Sequence, residues 1–478
     1  MRALVWFRAD LRVRDNVAFF RACERADRGV LGVFVVCPGQ WREHDWADIR
    51  VDFVLRNLEK LGVELARLNV PLLVLEEDRF AGVPSALLRL AERHGCDALY
   101  FNREHEWNER RRDERVAEAF RASGRTAHAF TDRTVYPPAS VAKKDGSAYT
   151  VYGPFRAAWR RRWTEGDRPE ALGVPAPQPP TGVAPDPIPR AVRGFRREER
   201  WASLWEAGEE AARSRLAAFV AGRIHAYHER RDFPALDGTS GLSPYLTCGA
   251  ISARACLHAA LGANDGRIDS GSPGAVAWID QLIWSEFYRG ILVAFPRVCM
   301  HRAFDPRTER VPWRDGGAAF DAWCAGRTGY PIVDAAMRQL LDTGWMHNRL
   351  RMVAASFLAK NLLIDWRRGE RFFMRRLIDG DLANNNGGWQ WSASTGTDPQ
   401  PYFRVFNPVS QGERHDPDGA FVRRHLPEFE GVGPPGVHDP ERLPPVVFAR
   451  GYPPAIVDAR ESRRAAVEAF RKAVRGGG

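Results

Sequence analysis

Residues 344–391 concentrate side chains that could hold a ligand. Asn348, Arg351 and Met352 stand at i, i+3 and i+4, so a helix places them on one face. Asp379 and Asp381 flank Gly380, and Asn384, Asn385 and Asn386 lead into Gly387, Gly388 and Trp389. Carboxylates, amides, glycines that admit a close backbone approach and a large aromatic together suit a flat, polar, hydrogen-bonding ligand. Taken alone, the same stretch also suits a helix hairpin with a polar turn. In either reading two helices lead into a loop of Asn, Gly and Trp.

The elements that must position these groups fall into two kinds. Apolar runs at 4–7, 30–36, 72–75, 98–101 and, more weakly, 127–130 alternate with helical periodicities near 16–26, 49–61, 84–94 and 109–123. Strand–helix alternation predicts a doubly wound parallel sheet, so residues 1–131 form an α/β domain with ligands beyond the carboxyl ends of its strands. No G-x-G-x-x-G follows the strands at Val5 or Val36, so a dinucleotide fingerprint is missing. Residues 132–205 break the pattern. Their Pro-dense part, 168–190, must be extended and reads as an interdomain linker. From 206 to 478 helical periodicity dominates, at 208–228, 274–295, 329–343, 345–364 and 369–378, which predicts an all-α domain.

Bulk properties narrow the class. A hydrophobic content of 44% with 27% charged residues is that of a soluble globular chain. The length of 478 residues calls for more than one core. A net charge of +10 favours a polyanionic partner such as nucleic acid, although Arg far outnumbers Lys, which also suits an Arg-rich proteome. The 7 cysteines show neither C-x-x-C nor a His/Cys cluster at zinc spacing, which argues for free thiols in a reducing cytoplasm and for no metal. The first residues run straight into a strand without a signal-peptide layout, and no apolar run approaches a membrane span.

Five motifs carry a resemblance. WFRADLRVRDN (residues 6–16), WSEFYR (284–289), TGYPIVDAAMRQL (328–340), WMHNRLRM (345–352) and DGDLANNNGGWQW (379–391) resemble the cryptochrome/photolyase family. Within it they are most similar to bacterial class I cyclobutane pyrimidine dimer photolyases of the folate-antenna type. The resemblance spans nearly the whole chain, in order. It implies an α/β antenna domain, a helical FAD domain and light-driven DNA repair. In that reaction reduced FAD gives an electron to a flipped-out pyrimidine dimer, the ring splits, and the electron returns. It further implies a cytoplasmic monomer acting on UV-damaged DNA without an obligate protein partner.

Carried over residue by residue, the resemblance implies an FAD site at Tyr227, Thr239, Ser240, Gly241, Leu242, Ser243, Trp278, Arg351, Asp379, Gly380, Asp381 and Asn385. Hydroxyls and backbone N–H groups suit a diphosphate, and carboxylates suit ribose or ring N–H groups; unaided, the TSGLS run is only an N-cap signal. Asn385 matches the residue facing flavin N5. Trp389, Trp366 and Trp313 match a relay that brings an electron from the surface to the flavin, with Trp313 nearest solvent. His44, Asn108, Glu109 and Cys299 match positions that bind a methenyltetrahydrofolate antenna. Glu109 would also be an ordinary first-turn charge of a helix. Where the family often has Lys after the Cys, this chain has Met300, which removes a cation from a polyanionic folate. The DNA and lesion positions are Arg231, Gln281, Trp284, Ser285, Tyr288, Asn348, Arg349, Met352, Trp391 and Gln411. Base flipping needs aromatic walls and a basic rim around such a pocket.

Three departures bear on the reaction. Gln281 stands where close relatives have Glu; (6-4) photolyases carry Gln there, but they also need a His pair where this chain has Asn348 and Met352. Ser285 and Gly241 stand where close relatives have Arg. The alternatives are a blue-light photoreceptor and a (6-4) photolyase. Asn385 and the short tail after Gln411 disfavour the first, and the missing His pair disfavours the second.

Overall fold

The protein is described here as a computed structural model covering residues 1–434 and 436–475. Packing divides it into two compact units. The first comprises Met1–His225, Ser240–Ala294 and Ile378–Asp381; the second comprises Ala226–Thr239, Phe295–Leu377 and the remainder from Leu382.

In the first unit, β1 (Ala3–Phe7), β2 (Val30–Val36), β3 (Leu72–Glu76), β4 (Ala98–Asn102) and β5 (Thr126–Phe130) form one parallel sheet in the order β3-β2-β1-β4-β5. The strands β1, β2 and β4 are buried at every residue, which is why they read as unbroken apolar runs rather than alternating ones. The helices α1 (Val17–Arg25), α2 (Asp48–Arg67), α3 (Val83–Arg93) and α4 (Trp107–Ala122) complete the α/β layer. Asn16 caps α1, its side chain accepting from the Phe19 N–H at 3.1 Å.

The first motif turns out to be structural. Asn102 donates to Asp10 at 2.7 Å and to Asn16 at 2.8 Å, Arg12 pairs with Asp132 at 2.6 Å, and Arg254 pairs with Asp132 at 2.8 Å and Asp15 at 3.1 Å. Burial alone would raise the Asp132 carboxyl, but Arg12 and Arg254 hold it below the usual range. Removing one member would leave a buried charge uncompensated, a loss of about 3–5 kcal/mol.

The segment expected as a linker is only partly extended. Residues 168–190 carry neither helix nor strand, and they run along the exposed edge of β3. The Asp186 N–H donates to Leu72 O at 3.0 Å, and the Val74 N–H donates to the Asp186 carboxylate at 3.0 Å. This cover removes a free sheet edge. Ahead of it lies a helix that the sequence reading left out, α5 (Tyr152–Thr164). The unit is completed by α6 (Glu209–Gly222), α7 (Ser243–Cys248), α8 (Ala253–Gly262) and α9 (Pro273–Ala294).

The second unit is helical, and its main helices are α10 (Gly317–Cys324), α11 (Pro331–Thr343), α12 (Asn348–Ser356), α13 (Trp366–Met374), α14 (Leu382–Ala393), α15 (Pro408–His415), α16 (Ala420–His425) and α17 (Ala459–Arg475). Two expectations are corrected. The helix expected over 345–364 starts at Asn348, because His347 caps it through Nδ1, and it ends in a π-helical turn, Phe357–Asn361. The expected Asn–Gly–Trp loop is the helix α14. Its poor helix formers are held from outside: Asn385 and Asn386 donate to the Glu370 carbonyl and carboxylate, each at 3.0 Å, and Trp389 is buried in the core.

Candidate functional site

In the first unit, the turn from Ser240 to Ser243 precedes α7. Gly241 has φ +61°, a left-handed conformation that glycine adopts without strain, and the Leu242 N–H lies 3.4 Å from Ser240 Oγ. Trp278 is buried on α9, its ring 5.1 Å from Phe219 of α6. In the D-G-D segment, the Asp381 carboxylate is held by Arg289 at 2.8 and 3.2 Å and by Arg133 at 2.9 Å. Its side chain is thus committed to two guanidiniums, and a ligand would meet the backbone around Gly380 instead. Asp379 is buried, and its carbonyl accepts from Thr247 Oγ1 at 3.4 Å. A glycine turn flanked by hydroxyls, a buried indole and a buried carboxylate fit the diphosphate and ring of a flavin nucleotide.

On α9, Gln281, Trp284, Ser285 and Tyr288 are half-buried, whereas Ile279, Leu282, Ile283, Glu286 and Phe287 are buried. The four half-buried residues therefore form one face of the helix. Trp284 is stacked on Tyr152 of α5, with centroids 3.6 Å apart and planes 10° apart. Tyr152 donates its hydroxyl to Asp280 O at 3.0 Å, and Arg156 and Arg160 reach the Asp280 carboxylate at 3.1 and 2.7 Å. These three α5 residues are spaced i, i+4, i+8, so one helix face clamps α9 and holds Trp284 in place. Behind that face Glu286 accepts from Trp159 Nε1 at 2.7 Å, and burial pushes its carboxyl up to about 7. Gln281 turns its Nε2 back to Ala277 O at 3.3 Å.

In the second unit, Asn348 is exposed, and Arg351 and Met352 are half-buried on the same face of α12. Arg351 donates to Met346 O at 2.8 Å. Arg349 forms a two-pronged ion pair with Asp232, at 2.8 and 3.2 Å. Burial holds His347 down at about 4, so it is neutral where it caps α12. The Arg231 guanidinium lies 5.9 Å from the Tyr227 ring, and burial pushes the Tyr227 hydroxyl up to about 12. Trp391 and Gln411 are half-buried. Because Asn385 Nδ2 donates to the Glu370 carbonyl, its Oδ1 is the atom it presents as an acceptor.

The three relay tryptophans share this unit. Trp366 and Trp389 are buried, whereas Trp313 is half-buried and meets Phe470 of α17 edge-on at 5.6 Å. A Cβ on Gly369, one turn after Trp366, would overlap the Trp389 ring, so α13 and α14 pack closely there because the residue is glycine. None of the three indole N–H groups meets an acceptor among the described residues.

Three of the four antenna positions form a cluster in the first unit. His44 Nδ1 is 3.1 Å from Glu109, and its Nε2 is 3.0 Å from Asn108 and from Gln40. Burial opposes a charge on His44, but hydrogen bonding and attraction from Glu109, with Glu106 behind it, raise its pKa above the ordinary value. Glu109 also lines a cavity walled by Trp6, Trp41, Trp46, Arg8 and Arg50, which suits a flat anionic ligand. Cys299 belongs to the second unit.

Sequence reasoning missed Tyr152, Arg133, Arg289 and Trp323. Trp323 is fully buried, its ring 6.0 Å from Trp389 and its Nε1 donating to Ala354 O at 3.1 Å. The i, i+4, i+8 spacing of Tyr152, Arg156 and Arg160 was the one legible signal for this group. No group of three or more His, Cys, Asp or Glu is arranged around a common metal position among the described residues, and no helix among them is long and apolar enough to cross a membrane.

Residues 3–180 match the family described as DNA photolyase, and residues 278–472 match the FAD binding domain of DNA photolyase. The deoxyribodipyrimidine photo-lyase of Salmonella typhimurium is 43% identical over 475 residues, covering 99% of both chains. A bacterial class III photolyase from Agrobacterium tumefaciens superposes with a TM-score of 0.86 at 34% identity, covering 99% of this chain and 97% of that one. A Synechocystis cryptochrome superposes with a TM-score of 0.85 at 26% identity over 98% of both chains.

Proposed function

Because this chain belongs to the DNA photolyase family, we propose that it is a deoxyribodipyrimidine photo-lyase, a light-dependent DNA repair enzyme that splits cyclobutane pyrimidine dimers. A cryptochrome shares the fold, so the fold alone does not separate repair from signalling. The observation that carries repair is the half-buried face Gln281–Trp284–Ser285–Tyr288, with Trp284 stacked on Tyr152. An indole held by a second ring is a rigid wall for a base turned out of the duplex, and a dimer pairs poorly, which lowers the cost of turning it out.

Bound reduced FAD supplies the chemistry, a light-excited one-electron donor that takes the electron back after the ring splits. The residues of the chain do the rest. Ser240, Gly241 and Ser243 would hold the diphosphate, and Trp278, Asp379 and Arg351 would bound the nucleotide. Asn385 offers Oδ1, an acceptor suited to a ring N–H, because its Nδ2 is held by Glu370. Trp389, Trp366 and Trp313 would pass an electron inward toward an oxidised flavin. Since no acceptor among the described residues meets their N–H groups, no side chain or carbonyl among those residues stands ready to take a proton from an oxidised indole.

Asn348 and Met352 face the lesion in place of a His pair, which favours cyclobutane dimers over (6-4) products; Gln281 favours the reverse. His44, Asn108 and Glu109, together with the cavity beside them, hold a methenyltetrahydrofolate antenna that passes excitation to the flavin. The protein acts as a monomer in the cytoplasm, and its basic surface brings it to DNA.

Purified, reduced protein incubated with UV-treated oligo(dT) should restore thymine under near-ultraviolet or blue light and not in the dark. Failure to restore it, with repair of (6-4) products instead, would transfer the assignment to the other lesion. Failure on both lesions would leave the photoreceptor.

A further inference from the structure

The Ser240–Ser243 turn has a cation that none of the five motifs carries. Arg215 lies on α6 and is half-buried. Its guanidinium sits 5.8 Å from the ring centres of both Trp205 and Tyr245, so its stem and head are packed rather than waving in solvent. No carboxylate is within ion-pairing distance of it among the described residues. The head lies against Gly241: a Cβ built on that glycine would stand 2.8 Å from Arg215 Nη1. Gly241 therefore does two things. Its φ of +61° makes the turn, and its missing side chain leaves the space that the guanidinium fills.

We propose that Arg215 is a phosphate ligand of the flavin nucleotide, delivered from α6 across Gly241 to the Ser240–Ser243 turn. A guanidinium presents several donors in a fixed plane and matches two oxygens of a diphosphate at once, which a hydroxyl does not. A guanidinium beside the Tyr245 hydroxyl and two serines, with no carboxylate partner among the described residues, suits a bridging dianion better than a structural role alone. A structural arginine on a helix would more often find a carboxylate, as Arg156 and Arg160 find Asp280. The proposal rests on the reading that the Ser240–Ser243 turn holds the diphosphate.

The test measures FAD dissociation from the holoenzyme by flavin fluorescence, at low and at high salt, with the melting temperature of each apoprotein as the control for folding. Arg215→Gln keeps the stem against Trp205 and Tyr245 and removes the charge. It should weaken FAD on the order of tenfold, as expected for one charge-assisted contact, and flatten the salt dependence, with an unchanged melt. Arg215→Lys should fall between the two. Gly241→Ala should weaken FAD as well, because its Cβ displaces the guanidinium. A folded Arg215→Gln protein that holds FAD as tightly as the wild type, with the same salt dependence, overturns the proposal. If Ser243→Ala nevertheless weakens FAD, only the role of Arg215 falls; if Ser243→Ala is also silent, the reading of the turn falls with it.

Discussion

Gln281 donates Nε2 to the carbonyl one turn behind it, at Ala277, and so presents Oε1 outward. It keeps an amide N–H and an acceptor oxygen, but unlike a carboxylic acid it cannot give up a proton to a base that is gaining an electron. Gln281→Glu should raise dimer repair per absorbed photon, with undamaged-DNA affinity nearly unchanged, since one hydrogen bond contributes about 1 kcal/mol. Equal repair per photon in the two proteins would show that the proton-giving capacity at this position is irrelevant. At Trp313, half-buried and propped by Phe470, the replacement Trp313→Phe should abolish photoreduction of oxidised enzyme while sparing repair by enzyme already reduced. Undiminished photoreduction would mean that the electron enters by another route, for which buried Trp323 beside Trp389 is the nearest candidate. Single residues were the least legible level in the sequence. Trp389 and Trp313 were found through motif resemblance, but nothing in the sequence said that Arg349 would be paired with Asp232 or Asp381 with Arg133 and Arg289. Those partners are far apart along the chain and appear only once the helices pack.

At the scale of elements, legibility followed the strength of local pattern. The strands of the first unit read through because fully buried parallel strands are unbroken apolar runs, and residues 30–36 were placed end for end. By contrast, α14 was read as a loop, since three Asn and two Gly are poor helix formers. What makes it a helix is tertiary: Glu370 fixes two of the amides, and Trp389 packs between Phe373 and Trp323. The π-turn at the end of α12 was equally invisible, since one extra residue in a turn leaves no periodic trace. The helix α5 was overlooked because it precedes a Pro-rich run, yet it supplies the ring behind Trp284. Tyr152→Ala should therefore loosen the Trp284 wall and weaken binding of dimer-containing DNA by about 0.5–1.5 kcal/mol, the usual worth of an aromatic pair beyond its area. Tyr152→Phe keeps the stack and should bind lesion DNA within experimental error of the wild type, although it loses the bond to Asp280 O. If the two variants bind alike, the stack is not what holds the wall.

At the scale of the whole molecule, buried titratable groups set how stability depends on pH. Burial pushes His105 down to about 3 and His347, His415 and His425 down to about 4, so all four are neutral in the fold but take up a proton near 6.5 when unfolded. Between those values the unfolded chain binds more protons, so the histidines contribute stability above about pH 6.5 that is lost as pH falls toward 4. Some carboxyls act oppositely: burial raises Glu286 to about 7 and Asp334 to about 6, and it also raises Asp10, Glu106, Asp113 and Asp416, so the fold keeps protons there that the unfolded chain releases. Glu104 and Asp132, held below their usual range by neighbouring arginines, act with the histidines, and the growing positive charge of an already basic chain adds self-repulsion in the same direction. The melting temperature should thus fall steadily from pH 7 to pH 4.5. Added salt should screen the repulsion among surface charges but leave the part due to buried histidines. His425→Leu, at a half-buried position against Phe421, should reduce the slope of stability against pH in that window. A slope that is the same in His425→Leu and wild type at high salt would mean that the charge of the chain as a whole, rather than its buried imidazoles, governs acid sensitivity.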